Sequence, residues 1–135
     1  MLDVASVSAG AVPAGAAEGV KVVYHMSAGN EQAAFGLGNV ANHLDAEPGA
    51  RIVVVGLGPG IEFMLREARD PHGNLFFSTI SELQGRGVEF RACNNTLSRR
   101  HIAASELVSG VKVVPSGIAE LARLQAHEGY AYLKP

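Results

Sequence analysis

The amino-acid sequence predicts an α/β domain built around a mostly parallel sheet. From Val20 onward, short runs of β-branched residues alternate with segments whose apolar residues recur at helical spacing, which is typical of a parallel sheet wrapped by helices. One run, IVVV within residues 51–57, is apolar on both faces, as a central parallel strand should be. A chain of 135 residues is long enough for one domain with a substantial core, and nothing in it indicates a second.

Five apolar runs predict the strands, at residues 20–26, 51–57, 88–93, 111–115 and 130–134. The first helix is predicted to begin near Asn30, whose side chain is expected to accept a hydrogen bond from an unpaired amide, and to extend to about residue 46. Pro59 is predicted to open the second helix, which ends before a turn at residues 70–73. The remaining helices are predicted at residues 76–87, 99–107 and 117–127.

Charge and composition argue against several classes of partner and location. The net charge is −2 and the longest basic run is Arg99 with Arg100, so we expect neither nucleic acid nor a membrane surface as a partner. No apolar stretch approaches the roughly 20 residues that a membrane span requires. A single cysteine, Cys93, cannot form an internal disulfide, and a free thiol suits the reducing cytoplasm, where we expect the protein to be located.

The chain is predicted to divide into a flexible N-terminal arm, residues 1–19, and one domain, residues 20–135. The arm is rich in Ala, Gly, Ser and Val. It lacks the positively charged start of a signal peptide, and Ser, Gly and Pro interrupt its apolar residues.

The residues that follow the strands are candidates for a binding site, because ligands of open parallel sheets bind beyond the carboxyl ends of the strands. They are residues 27–30, which include Asn30, 56–60, 93–96 and 116–117, which include Ser116. Gly58, Pro59 and Gly60 could hold an anion on backbone amides at a helix start. The segment lacks the third glycine of a dinucleotide motif and the Lys-Ser/Thr pair of a P-loop, so an ordinary strand-to-helix turn is the alternative.

Cys93 stands at the end of a predicted strand and precedes Asn94, Asn95 and Thr96. Cations follow at Arg99, Arg100 and His101. Amides at a helix start and nearby cations would stabilise a thiolate and lower the thiol pKa. A lone cysteine can equally be a buried, inert apolar side chain, and the asparagines could line a polar pocket or only cap turns. Both interpretations of Cys93 remain open at this point.

The five histidines show no spacing typical of zinc ligands, and no metal site is predicted. His25 lies near the end of the first predicted strand and could approach Cys93 in space. The alternative is a partly buried histidine that satisfies its ring nitrogens by hydrogen bonding.

Four segments together resemble the single-domain DsrE/DsrF-like (YchN-like) proteins: YHMSAGNEQAAFGLGNVANHL, VVGLGPGIEFML, GVEFRACNNTL and VVPSGIAELARLQAHEGYAYLKP. The resemblance extends from about Val20 to Pro135. It implies a three-layer α/β/α fold with five parallel strands and assembly as trimers or hexamers. In sulfur-relay members it also implies a cysteine that carries persulfide sulfur, and this cysteine would be Cys93. The loop around it would be shaped by Asn95, Thr96 and Leu97, with Gly58, Pro59 and Gly60 as the neighbouring wall.

The leading hypothesis is a cytoplasmic sulfur carrier whose Cys93 thiolate accepts sulfane sulfur from a donor protein and passes it to the thiol of an acceptor, without a cofactor. Whether such a carrier acts as an enzyme of the sulfurtransferase type stays open. The main rival is an oligomeric module that binds a small anion or nucleotide at the strand ends, with Cys93 only structural. A structural homo-oligomer without a ligand is the third possibility.

Overall fold

The structure is a computed structural model that describes residues 19–135, so the predicted arm, apart from Gly19, lies outside the described residues. In chain order the strands and α-helices are β1 (Lys21–Met26), α1 (Asn30–Ala46), β2 (Arg51–Gly56), α2 (Phe76–Gly85), β3 (Glu89–Cys93), α3 (Asn94–Arg99), β4 (Lys112–Val114), α4 (Gly117–Glu128) and β5 (Ala131–Leu133). Two 3-10 helices, Gly58–Met64 and Ala104–Glu106, complete the elements. Within this part of the chain, no helix has both the length and the apolar character needed to cross a membrane.

The five strands form one sheet in the order β4-β3-β2-β1-β5, and every neighbouring pair is parallel. The predicted five-stranded parallel sheet is therefore confirmed. Strand β2 lies at its centre and is buried apart from Arg51, in agreement with its continuous apolar run. The edge strands β4 and β5 have three residues each, fewer than predicted, and all of them except Val114 are exposed.

Helices cover both faces of the sheet, which confirms the three-layer α/β/α arrangement. On one face, apolar residues of α1, α2 and the longer 3-10 helix form the larger core with alternate residues of β1, β2 and β3. On the other face, Leu121 and Leu124 of α4 pack on Val23, Val53 and Val55. Beside this smaller core an ion pair holds α4 to β3, since an Arg91 guanidinium nitrogen lies 2.5 Å from a Glu120 carboxylate oxygen.

The helix predicted to begin at Pro59 and to end before residue 70 is instead the seven-residue 3-10 helix Gly58–Met64. Its early end has a visible cause. Beyond Met64 the chain becomes extended, and Leu65 pairs with Leu107 in an antiparallel bridge. The amide of Arg66 donates to the Glu106 carbonyl at 3.0 Å, so these backbone groups bond to a distant segment instead of continuing a helix.

Helix α1 begins and ends as predicted, at Asn30 and Ala46, but the predicted start of α3 and the predicted cap of α1 are wrong. The helix predicted at residues 99–107 begins earlier, as α3 directly after Cys93, and ends at Arg99, because His101 adopts a left-handed conformation with φ of 56°. Asn30 does not cap α1. The capping position is Gly29, without a side-chain hydrogen bond, while the Asn30 side-chain amide donates to the Arg69 carbonyl at 3.2 Å.

Candidate functional site at the end of strand β3

Cys93 lies where β3 ends and α3 begins, at the capping position of that helix. Its side chain points to the sheet face that α4 covers, because a Cβ placed on Gly117 would lie 3.2 Å from the Cys93 Cβ. The residue is 4% exposed. Three chain segments therefore meet at this thiol: the β3–α3 junction, the start of α4, and the turn that follows β2.

Hydrogen-bond donors surround the thiol. Burial alone would raise the pKa of Cys93, but the backbone amides of Gly117, Thr96 and Asn95 and the Thr96 hydroxyl all act in the opposite direction, and the pKa is lowered overall. The sequence prediction invoked amides at a helix start and nearby cations, and the causes of the shift include the amides but no cation. Neutral donors supply the shift, and one of the predicted cations, Arg100, is paired with Glu62 at 3.0 Å.

The turn after β2 reaches the thiol loop through Gly58. Gly58 has φ of 57°, and its amide donates to the Thr96 hydroxyl oxygen at 2.8 Å. Pro59 is exposed at the first turn of the 3-10 helix. Gly60 allows two backbone segments to pack closely, since a Cβ there would lie 1.8 Å from the Met26 carbonyl oxygen. Of the three predicted wall residues, only Gly58 makes a hydrogen bond to the thiol loop.

The start of α4 forms the other side of the site. Ser116 caps this helix, because its hydroxyl accepts a hydrogen bond from the Ala119 amide at 3.1 Å. The cap places the Gly117 amide at the Cys93 sulfur. Gly117 and Leu57 lie in two of the strand-end segments predicted from the sequence, but the contacts of Gly117 with Leu57 and with Cys93 were not predicted. The Ser-Gly pair that follows a strand and opens a helix was the available signal.

His25 and Asn30 lie elsewhere. His25 is on β1, and β2 separates it from β3, so with adjacent strands about 4.8 Å apart its Cα is at least about 10 Å from that of Cys93. Its Nδ1 lies 2.6 Å from the Tyr132 hydroxyl on β5. Burial, and then the charge of Lys134, lower the pKa of His25. His25 is thus hydrogen-bonded away from Cys93 through Nδ1, while its Nε2 is buried without a partner among residues 19–135. Asn30 contacts the Arg69 segment through its side-chain amide, and its Oδ1 is likewise buried without a partner among these residues.

The arrangement can hold a negatively charged sulfur atom beneath the surface. Asn94, Asn95 and Pro115 are exposed around the site, so the thiol lies one layer below solvent. Two surface cavities, of about 260 and 230 Å³, lie away from it, one beside Arg66 and Glu106 and one between α1 and α2. The described residues contain no group of three or more His, Cys, Asp or Glu side chains placed to bind a metal ion.

Comparison with known proteins identifies the family of this chain. The sequence model of the DsrE/DsrF-like family matches residues 20–135. The structure is similar to MTH1491 from Methanobacterium thermoautotrophicum, described as a protein of unknown function, with 33% identity and a TM-score of 0.77 over 86% of this chain and 99% of the other. It is also similar in fold to the YchN protein from E. coli, with 17% identity and a TM-score of 0.67 over the same shares of the two chains. No curated protein matches the chain. With a family match over most of its length, the chain belongs to the DsrE/DsrF-like family.

Proposed function

We propose that this protein is a sulfur carrier that holds sulfane sulfur as a persulfide on Cys93. One observation supports the proposal above all others: uncharged donors from Gly117, Thr96 and Asn95 lower the pKa of a thiol at the strand-end edge of the sheet. The thiolate is the form that attacks sulfur, so a lowered pKa increases the reactive fraction at neutral pH. Membership of the DsrE/DsrF-like family is consistent with a role in sulfur transfer.

The proposed chemistry consists of two exchange steps. In the first, the Cys93 thiolate attacks the outer sulfur of a donor persulfide, R–S–SH. A bond forms between Sγ and that sulfur, the donor S–S bond breaks, and the donor leaves as a thiolate while the proton stays on the transferred sulfur. In the second, an acceptor thiolate attacks the outer sulfur on Cys93, which leaves as a thiolate. A low pKa helps here too, because a more acidic thiol is the better leaving group.

Access to the thiol is part of the proposal, because Cys93 is 4% exposed. Sulfur transfer then requires local opening between α3 and the 3-10 helix Gly58–Met64. The expected opening is small, since exposed residues such as Pro59 and Asn95 already form the outer surface. A thiol that is sheltered between transfers also keeps its persulfide away from water and oxidants.

The test is intact-mass analysis after exposure to a low-molecular-weight persulfide, beside a Cys93→Ser control. We expect a mass gain of one or more sulfur atoms in the wild type and none in the control, with reversal by a thiol reductant. An unmodified wild-type protein under conditions that modify a small-molecule thiol would exclude a carrier role.

A second candidate function is a binding module for a small anion, in which Cys93 only packs. The low exposure of Cys93 favours it, because an inert buried cysteine needs no route to solvent. The two candidates differ in one measurement. Calorimetric binding of sulfide, thiosulfate or inorganic phosphate that survives Cys93→Ser at full affinity would support the module, whereas the carrier needs the thiol.

Assembly into a homo-oligomer, a trimer or hexamer, is the partner arrangement that we propose. Large apolar side chains are exposed at both edges of the sheet and on α4, at Val113, Ile118, Tyr132 and Leu133. Surfaces of this kind are commonly covered by other protein chains. Light scattering at micromolar concentration should give a mass several times 14.1 kDa, and a monomer would contradict the proposal. The free thiol suits a reducing compartment such as the cytoplasm, where donor and acceptor proteins would also be found.

A further inference from the structure

The Gln32 side chain joins two segments that lie far apart in the chain. Its carboxamide oxygen, Oε1, accepts the amide protons of Ser27 at 2.8 Å and of Ala28 at 2.7 Å. Its nitrogen, Nε2, donates to the carbonyl oxygen of Pro135 at 3.1 Å. Only this orientation of the carboxamide satisfies all three groups, because the reversed one would place an NH₂ group against two N–H donors. The oxygen therefore belongs on the turn after β1 and the nitrogen on Pro135.

Glutamine at this position does more than a helix cap requires. Gln32 is the third residue of α1, and Gly29 at the capping position offers no side chain. A Gln or Glu side chain at the third position commonly reaches back to amides that precede the helix. Glutamate would accept from these amides equally well and would also suit the positive end of the helix. The hydrogen bond donated to Pro135 is what glutamine provides and glutamate does not.

A second contact on α1 holds Pro135. A Cβ placed on Gly36, one turn after Gln32, would lie 2.9 Å from the Pro135 Cγ atom and 2.5 Å from the Met26 Cε atom. The missing side chain lets the proline ring approach α1 beside Met26, which is fully buried, and this explains a glycine inside a helix. Pro135 is half-buried, whereas residues 131–134 are exposed. Pro135 is therefore the anchor of an otherwise exposed segment.

We propose that Lys134 and Pro135 form a strap, which the Gln32 side chain closes over Met26 and ties to the turn at residues 27–29. Strand β5, which leads into the strap, has three residues and pairs on one side only, with β1. A short exposed element of this kind opens locally at a much lower cost than the domain unfolds. Opening of the strap breaks the bond from Nε2 and uncovers Met26.

The strap lies at the carboxyl edge of the sheet. All five strands are parallel, so the ends of β1, β3 and β5 lie along one edge. The turn that Gln32 holds packs against the longer 3-10 helix, because a Cβ on Gly60 would lie 2.7 Å from the Ser27 nitrogen. The closed strap therefore fixes one wall of the edge at which Cys93 also lies. The inference concerns this closure alone and stands without the proposed function.

The first test measures the oxidation of Met26 by hydrogen peroxide, followed peptide by peptide with mass spectrometry. Met64, which is also fully buried, is the internal reference for unfolding of the whole domain. Gln32→Glu keeps the acceptor for the turn and removes the donor to Pro135. We expect Met26 in this variant to be oxidised about two- to tenfold faster than in the wild type, the effect of one lost hydrogen bond, with no change at Met64. An unchanged rate at Met26, or an equal acceleration at both methionines, would overturn the proposal.

The second test separates the two ends of the Gln32 side chain. Hydrogen exchange of the Ser27 and Ala28 amides, measured by NMR, should keep its wild-type rate in Gln32→Glu, whose carboxylate still accepts from both. It should accelerate in Gln32→Leu, which removes the oxygen as well as the nitrogen. Equal exchange rates of these amides in the two variants would overturn the proposal.

The third test opens the strap from the other contact. Gly36→Ala displaces the proline ring, so we expect faster oxidation of Met26 than in the wild type. Gly38→Ala is the matched control on the same helix, since a Cβ there would meet nothing within 4 Å, and it should keep the wild-type rate. Equal rates in the two alanine variants would overturn the proposal. If Gly36→Ala does not fold, Gln32→Glu still decides the outcome.

Discussion

Gly117 has no room for a side chain. A Cβ there would lie 2.9 Å from the Leu57 Cδ2 atom and 3.2 Å from the Cys93 Cβ. These contacts are closer than carbon atoms normally approach, so a Cβ requires Leu57, Cys93 or the start of α4 to shift. A shift of α4 would also move the Gly117 amide, which stabilises the thiolate. Packing and thiol chemistry therefore depend on the same residue.

Gly117→Ala should lower the free energy of unfolding by about 1–3 kcal/mol and raise the thiol pKa of Cys93. Urea unfolding measures the first effect, and the pH dependence of alkylation measures the second. Gly38→Ala is the matched control, because Gly38 is exposed on α1 and a Cβ there would meet nothing within 4 Å. The control should be neutral or more stable by about 0.5–1 kcal/mol, since alanine favours helix. Equal effects of the two substitutions would contradict the packing argument.

At the residue scale, the position of Cys93 and the nearby Asn95, Thr96 and Gly58 could be predicted, whereas the contact with Gly117 could not. A cysteine at the end of the alternating segment Val-Glu-Phe-Arg-Ala-Cys is placed at the end of a strand by pattern alone. The Gly117 amide reaches the sulfur only because β3 and α4 come together in the folded domain, and no local spacing encodes that contact. His25 shows the same limit, because its strand was predicted but its neighbour Tyr132 was not.

Two links join α3 to the 3-10 helix Gly58–Met64. The first is the part-buried hydrogen bond from the Gly58 amide to the Thr96 hydroxyl. The second is the ion pair between Glu62 and Arg100 nearer the surface, and each of these residues lies four positions after its counterpart in the first link. The Glu62–Arg100 pair is partly exposed, so it stabilises the contact between α3 and the 3-10 helix by only about 0.2–1 kcal/mol. If the thiol becomes accessible when these two elements separate, this ion pair controls how often that happens.

Arg100→Gln should raise the rate of Cys93 alkylation at a fixed pH by up to about fivefold, the population change that corresponds to about 1 kcal/mol. High salt should accelerate the wild type in the same way and have little effect on the variant. Arg86→Gln is the control, because Arg86 makes a similarly exposed ion pair with Asp45 at 2.9 Å on another part of the surface. An acceleration of the same size in the control would show that the Glu62–Arg100 pair does not govern access.

Among the elements, those with the strongest periodicity were predicted best. The continuous apolar run of β2 indicates a buried strand, and the regular apolar stripe of α4 indicates a helix. The segment after Pro59 was misjudged because its bonding partner, Glu106, belongs to a distant part of the chain. The start of α3 was missed because Cys93 is not one of the usual capping residues.

At the scale of the whole molecule, β5 forms one edge of the sheet, where it pairs with β1. Besides the backbone register, the His25 ring bonds to the Tyr132 hydroxyl across this pair. Burial and the neighbouring Lys134 lower the pKa of His25, so the folded protein favours the neutral ring. Below the unfolded-state value of about 6.5, the unfolded chain takes up this proton more readily than the folded one, and stability is lost as the pH falls.

The midpoint of urea unfolding should therefore decrease between about pH 7.5 and the lowered pKa of His25. His25→Gln should show a smaller decrease over this range, because glutamine has no proton to gain. His72→Gln, at an exposed position in the turn before α2, should keep the wild-type decrease. The same pH dependence in all three proteins would remove His25 as the cause.

The pairing of β1 with β5 has a consequence for biosynthesis. His25 and Tyr132, which meet across this pair, are 107 residues apart in the chain. At about 5–20 residues per second, roughly 5–20 s separate the emergence of the two strands from the ribosome. During that interval one edge of Lys21–Met26 keeps its backbone donors and acceptors unpaired, which makes the nascent chain prone to aggregation and a natural client for a chaperone.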